Sequence, residues 1–403
     1  MELFWLEHKK LWRKKIVKIC VLLCFVYCVI FGSILLFQWF GFGSSDDYTS
    51  AFGNNFDGYT VIKDSQEYAL SFGGELTDET LQQIVSDYQQ MEADGMEEEL
   101  EKTDWQIVNN WLGTLYPELR DTSNYKTMIS YVDPDKLTGF YERRQQVLDE
   151  FLEVSGQVGA EKEFLHQIER KVEKPFHYEW VEGWSTLLGS MVADLGVVMA
   201  LFLGIVLSSL FAGEWHDNTS TLVLATRNGW GKIALVKILT GLAFTVELFA
   251  LLAVSNVISQ LFFMGTAGWD MPIQNIKLIA VAPMNMLQAE IYEYAFVLLG
   301  AIGFAGIVMF ISAAVKNNVL TLLLSLAVVY GPMMIAEYLP YEMQKALDLI
   351  PLVGSSTDIF RTNTFRIFGK LIWSPYLLIT IPVLIGILCM PFAIKSWSRR
   401  MKA

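Results

Sequence analysis

The sequence predicts an all-α integral membrane protein: six transmembrane helices, with a large, mostly helical extracellular domain between the first and second. Three observations predict it. The 403 residues are 53% hydrophobic and only 18% charged, whereas an ordinary soluble domain is about one quarter charged. The apolar residues gather into runs near or above the roughly 20 residues that cross about 30 Å of hydrocarbon as a helix. Charge is also divided. Residues 43–185 hold 30 acidic and 11 basic side chains, net −19, while the remainder holds 13 acidic and 19 basic, net +6. That division separates two compartments and offers little to a nucleic acid.

The first domain covers residues 1–42. Met1 to Lys15 mixes Leu3, Phe4, Trp5, Leu6, Leu11 and Trp12 with lysines. The pattern suits an amphipathic helix on the inner membrane surface, or a basic flank that orients the first span. Ile16 to Phe40 is that span, with Lys18 close enough to the interface to snorkel. It exceeds a signal-peptide core and no small-residue cleavage site follows, so it is expected to be retained. Cys20, Cys24 and Cys28 share one helix face, and Cys389 lies in another apolar run. They read as small packing residues, with a metal or redox site as the alternative.

The second domain, 43–185, opens with a Gly-, Ser- and Asn-rich linker over Gly43 to Asn55. Tyr59 to Ile62 and Tyr68 to Phe72 suit two short strands. Thr77 to Met91, Asp133 to Leu152 and Ala160 to Val172 have helical spacing. Glu97 to Glu99 reads as a solvated face. The domain has no cysteine, hence no disulfide framework. Its histidines are His166 and His177, and no hydrolase or zinc motif accompanies them. A lid, vestibule or interaction surface is expected, not an enzyme.

The third domain, 186–403, supplies five further spans: Leu187 to Ala212, Ile233 to Met264, Tyr294 to Val315, Val319 to Ala336 and Ile372 to Ile394. They must be helices because backbone groups in lipid have no water to bond. Lys9, Lys10, Arg13, Lys14 and Lys15 precede the first span, and Lys395, Arg399, Arg400 and Lys402 follow the last. Arg227, Lys232 and Lys316 fall in short turns on the same side. The positive-inside rule then puts both termini in the cytoplasm of a multi-pass plasma-membrane protein, bacterial in type.

The cytoplasmic turn 213–232 is the informative stretch. Thr219 to Thr226 suits a short helix along the membrane carrying Leu222, Val223 and Leu224, able to dock by its apolar face in a partner's groove. A plain polar connector is the alternative, and the residues alone favour it. Taken together, Phe211-x-x-Glu214, Thr219-x-x-Leu222, Thr226-Arg227 and Lys232 entering the next span resemble ATP-binding-cassette type-2 permeases. The architecture is similar too: an amphipathic start, six spans, and a segment broken by Pro340, Pro351 and Pro375 before the last. The resemblance implies that Glu214, Thr219, Thr221, Leu222, Thr226, Arg227 and Lys232 form the coupling element against the ATPase. The insert after the first span departs from typical members, which have a short connection there. Members with such inserts are associated with export of toxic peptides, so amphipathic or antimicrobial peptides are the implied substrates, as in phenol-soluble modulin exporters.

This chain has no phosphate loop: Gly231-Lys232 is followed by Ile233 and lacks the earlier glycine. The chain is therefore expected to bind no cofactor of its own. ATP and Mg belong to a partner, an ABC ATPase subunit in two copies. A second permease copy, most simply a homodimer, and membrane lipid complete the expected partners; nucleic acid is not among them. Gly196, Ala200, Gly204 and Ser208 make a small-residue face for close helix packing, and Gly300, Gly303 and Gly306 suit the same role. Asp194 and Glu247 are the costly intramembrane carboxylates, suited to lining or gating a path or to a structural hydrogen bond. Glu290 and Glu293 are expected at the interface. Two other readings stand beside this one: a membrane sensor or scaffold with a peptide-binding exterior, and an ion-coupled secondary transporter using Asp194 and Glu247. The latter calls for inverted repeats, and none is visible.

Overall fold

The computed structural model describes residues 2–37, 62–63, 66, 73–95, 105–121, 123, 126–188, 192–219, 231–354, 360 and 363–399. Among these, thirteen α-helices and two two-stranded antiparallel sheets form a mostly helical protein. Helix α1 (Glu2–Arg13) leads into α2 (Lys15–Phe37), which coincides with the first expected span; residues 38–40 lie outside the described set.

Within the polar insert, β1 (Gly74–Leu76) pairs with β2 (Phe176–Tyr178), with Leu76 opposite Phe176. Between them lie α3 (Asp78–Ala93), α4 (Trp105–Leu115), α5 (Phe140–Val154) and α6 (Ala160–Glu169). Thr77 caps α3, its hydroxyl accepting from Thr80 N, and Leu81, Ile84, Val85 and Tyr88 form the buried stripe. The helix expected from Asp133 begins only at Phe140. Pro134 to Lys136 form a 3-10 turn, and Gly139 has φ +71°, a left-handed conformation that glycine adopts without strain. With no side chain at that N-cap, the Asp78 carboxylate of α3 accepts Gly139 N at 2.7 Å and Phe140 N at 3.0 Å. Helix α4 was not expected. Of the two expected strands, Ile62 is helical, and the other residues lie outside the described set, as do Gly43 to Asn55 and Glu97 to Glu99.

After the short α7 (Glu182–Thr186) come α8 (Val192–His216), α9 (Gly231–Met264), α10 (Met286–Ala314), α11 (Asn318–Ile335) and, later, α13 (Ser374–Arg399). Among the described residues these five are long and apolar enough to cross a membrane, the pattern of a multi-pass membrane protein. Helix α10 begins earlier than its apolar run because Asn285 and Gln288 form a reciprocal capping box. It is the central helix, packing on α8, α9, α11 and α13. Its Gly303 and Gly306 lie so close to Pro382 and Gly386 of α13 that an added Cβ would strike the facing backbone.

Helix α12 (Tyr341–Leu347) and a hairpin, β3 (Thr364–Ile367) with β4 (Lys370–Trp373), fill the segment before α13. In the same segment Leu352, at φ +63°, wedges its side chain against Gly196 and Gly300.

The insert is joined to both neighbouring segments. Arg144, fully buried, donates to Leu278 O at 2.8 Å, Ala280 O at 3.1 Å and the Glu169 carboxylate at 2.7 Å. Trp111 Nε1 donates to Asn275 O and Trp180 Nε1 to Met264 O. Thr364 Oγ1 donates to Gln157 Oε1, and Arg366 pairs with Glu161 at 2.6 Å. The described part of the insert is thus bonded to the α9–α10 loop and the pre-α13 hairpin.

Candidate coupling site

The last turn of α8 and the second turn of α9 flank residues 220–230. Helix α8 ends at His216; Asn218 just beyond it has φ +56°, a left-handed conformation that asparagine tolerates, and Thr219 N returns to Glu214 O at 3.0 Å. The Thr219 hydroxyl also donates to Glu214 Oε2. The root of the turn is therefore folded back onto one carboxylate.

That carboxylate lies in an ion cluster. Lys237 Nζ of α9 donates to Glu214 Oε1 at 2.8 Å and to Glu7 Oε2 at 2.9 Å. Lys10 Nζ reaches the same Glu214 oxygen at 2.5 Å. Lys14 Nζ donates to Ser209 Oγ at 3.0 Å. Glu214 and Lys237 are buried, and Asp217 lines the same small cleft. Three ammonium groups stand with three carboxylates, so the cluster is neutral. Burial works against the charge of Lys10, but the hydrogen bond and charge of Glu214 raise its pKa above the ordinary value. Burial, with Lys237 and Lys10 nearby, lowers that of Lys14. A buried pair adds little net stability, yet removing one partner costs about 3–5 kcal/mol. The cluster therefore fixes where α1 sits against α8 and α9.

The same end of the bundle collects other termini. Trp397 of α13 packs on Phe211 and Trp215, and Lys316, between α10 and α11, lies 4.5 Å over the Trp215 ring.

Of the turn residues chosen from sequence, Glu214 and Thr219 meet in this cluster, while Lys232 is exposed at the start of α9. Thr221, Leu222, Thr226 and Arg227 lie outside the described residues. Sequence reasoning missed Lys237, Glu7 and Lys10 as partners. The available signal was Lys237 itself, a lysine inside an apolar helix that must find a counter-charge.

Asp194 belongs to α8, but its side chain lies outside the described set. Glu247 is 42% exposed and accepts Trp12 Nε1 at 3.0 Å, with His8 Nε2 at 3.1 Å. Its bonded neighbours come from α1, a helix whose reach into the bundle the composition did not reveal. Ala200 and Ser208 are buried, and Gly204 faces Leu322 and Leu326 of α11. Ser312 of α10 donates to Ser208 O at 2.7 Å and accepts Phe211 N and Ala212 N. Glu290 and Glu293 lie in the first two turns of α10, and protein encloses them there. They are 3% and 0% exposed; Tyr294 neighbours the Glu290 carboxyl, and no strict hydrogen bond to any of the four carboxylate oxygens is present among the described residues. Extension of α10 by its capping box carries them inside the protein. Cys20, Cys24 and Cys28 are all buried along α2, with Cys28 Sγ facing Leu252 O.

Compared with family models, curated proteins and solved structures, the chain matches none. Its chemistry therefore rests on its own geometry. Among the described residues, no three His, Cys, Asp or Glu side chains are grouped to hold a metal ion. What the cluster can do is mechanical: it ties an amphipathic helix, two membrane-length helices and Thr219, the last described residue before position 231, into one unit.

Proposed function

We propose that this chain is the membrane-spanning permease subunit of an ATP-driven ABC exporter of the type-2 kind, acting on amphipathic or toxic peptides. The observation that carries the reading is the Glu214–Lys237–Lys10–Thr219 cluster at the root of the 220–230 turn. A force applied to that turn by a soluble ATPase passes through Glu214 to α8, α9 and α1 together. In this reading α2 is a sixth span, both termini are cytoplasmic, and the polar insert faces outward over the exit. Two permease copies form the pathway, and two ATPase subunits hydrolyse ATP with Mg.

If an ATPase with the phosphate-loop motif is encoded beside this chain, co-expression with it tests the reading. The expected result is a stable complex whose ATPase activity falls severalfold in Glu214→Gln and Arg227→Ala while the complex survives. Unchanged assembly and unchanged activity in both variants would remove the coupling role of the turn.

A second reading, an ion-coupled secondary transporter, draws on the buried carboxyls of Glu290 and Glu293. Transport by the purified chain in vesicles without any ATPase, driven by a proton gradient and abolished in Glu290→Gln/Glu293→Gln, would establish it in place of the exporter.

A further inference from the structure

We infer, taking α2 as a span as in the reading above, that the outer face of the α1–α2 junction is a docking surface for the head groups of anionic phospholipids. Neither the coupling to an ATPase nor the export of peptides is needed for it.

The two helices present two sides. Leu11, Val17, Cys20, Cys24 and Cys28 form the buried side. On the exposed side stand Lys9, Arg13, Lys15 and Lys18. Beyond Lys18, every exposed residue of α2 up to Ile30 is apolar. The basic band therefore ends where a lipid-facing surface begins.

The contacts of α1 set how it lies. Glu7 and Lys10 reach Lys237 and Glu214, whereas Trp12 reaches Glu247 and packs on Phe244. Lys237 and Glu247 are about 15 Å apart along α9. One flank of α1 thus faces the start of α9 and the other faces its middle, so α1 lies across α9. Lys9 and Arg13, one turn apart, are on the exposed side that remains.

The band is not neutralised. Residues 1–18 hold six basic and two acidic side chains. Lys10 is paired with Glu214, Lys14 is bonded to Ser209, and Glu7 is taken by Lys237. None of Lys9, Arg13, Lys15 and Lys18 has an ionic or hydrogen-bonded side-chain partner among the described residues. Glu2 is the one acid on the exposed side, and residues 220–230 and 400–403 contain none.

An exposed basic face alone fits any polyanion. What selects lipid is the apolar company: Trp5 and Leu6, 62% and 64% exposed, share that side with the bases, and Ile16 and Ile19 lie between and beyond them. A soluble acidic protein would leave these side chains in water or against charge. A bilayer takes them at the acyl boundary while head-group phosphates meet the bases. Phosphatidylcholine offsets its own phosphate with choline, so four uncompensated cations favour a lipid of net negative charge.

The test uses the full chain in phosphatidylcholine nanodiscs carrying a trace of spin-labelled phosphatidylglycerol or phosphatidylcholine, labelled at the same acyl carbon. No ATPase enters, so its outcome is separate from that of the exporter. The protein should immobilise the anionic probe about fivefold more strongly, the worth of one lysine at an anionic surface, and less so as salt rises. Lys9→Gln/Arg13→Gln/Lys15→Gln/Lys18→Gln should remove the preference at an unchanged melting temperature. Lys232→Gln/Lys395→Gln/Arg399→Gln should keep it. Trp5→Ser/Leu6→Ser should also keep it, while hydrogen exchange in residues 2–13 accelerates in either lipid. Equal immobilisation of the two probes, a preference that survives the fourfold variant or is lost in the threefold one, or displacement of the anionic probe by free glycerol phosphate would each overturn the inference. Protection of residues 2–18 by polyglutamate but not by phosphatidylglycerol would overturn it in favour of an acidic protein.

Discussion

Lys237 Nζ lies 2.8 Å from Glu214 Oε1, and the two residues are only 2% and 5% exposed. Each removes the other's charge from a setting where neither is well solvated. Glu214→Gln or Lys237→Met alone should therefore destabilise the protein by about 3–5 kcal/mol, and the double variant by less than the sum. Thermal unfolding of the four proteins in nanodiscs closes this cycle. Additive losses would mean that the two residues act independently.

Glu247 calls for the opposite expectation. It is 42% exposed, and its partners His8 and Trp12 sit on α1. A side-chain hydrogen bond between membrane helices is worth about 0.6 kcal/mol on average. Glu247→Gln should leave unfolding within about 1 kcal/mol of the parent while hydrogen exchange in residues 2–13 accelerates. A loss as large as that of Glu214→Gln would show a buried, load-carrying charge at Glu247.

Arg144 and Glu169 give the polar insert an acid limit. Burial raises the Glu169 pKa, but hydrogen bonds and charge from Lys174 and Arg144 outweigh it and leave it below the ordinary value. A depressed folded pKa stabilises the fold above the unfolded value near pH 4.3, and that contribution disappears as pH falls through the lower folded value. Melting of the parent should drop below about pH 4, whereas Glu169→Gln should be less stable at pH 7 and lose part of the acid dependence. Parallel pH profiles would contradict this.

Gly303 and Gly306 permit backbone contact between α10 and α13. Gly306→Leu should separate these helices and cost more than about 3 kcal/mol, with Gly331→Leu, in open space on α11, as the tolerant control. Equal melting temperatures for the two variants would show that the close approach carries no stability.

Much of this was legible in the sequence because lipid imposes length and apolarity on a helix. The runs beginning at Leu187, Ile233, Val319 and Ile372 overlap α8, α9, α11 and α13. Glu214 was singled out through the resemblance of Phe211-x-x-Glu214 and the turn after it to a permease family, since the residues of that turn alone favoured a plain connector. The partners of Glu214 were not. Glu7 and Lys10 are more than 200 positions from Glu214 or Lys237, and periodicity within one helix carries nothing about the helix beside it.

The sequence by itself determined the helical membrane class, the acidic insert and the basic edges, each set by local composition against water or lipid. Tertiary structure alone decided that the insert is locked to the α9–α10 loop through Arg144. It also decided that Glu290 and Glu293 are enclosed and that Glu247 faces α1. The physical reason is that burial and pairing belong to two or more segments at once, and no single stretch of chain specifies which segment will face it.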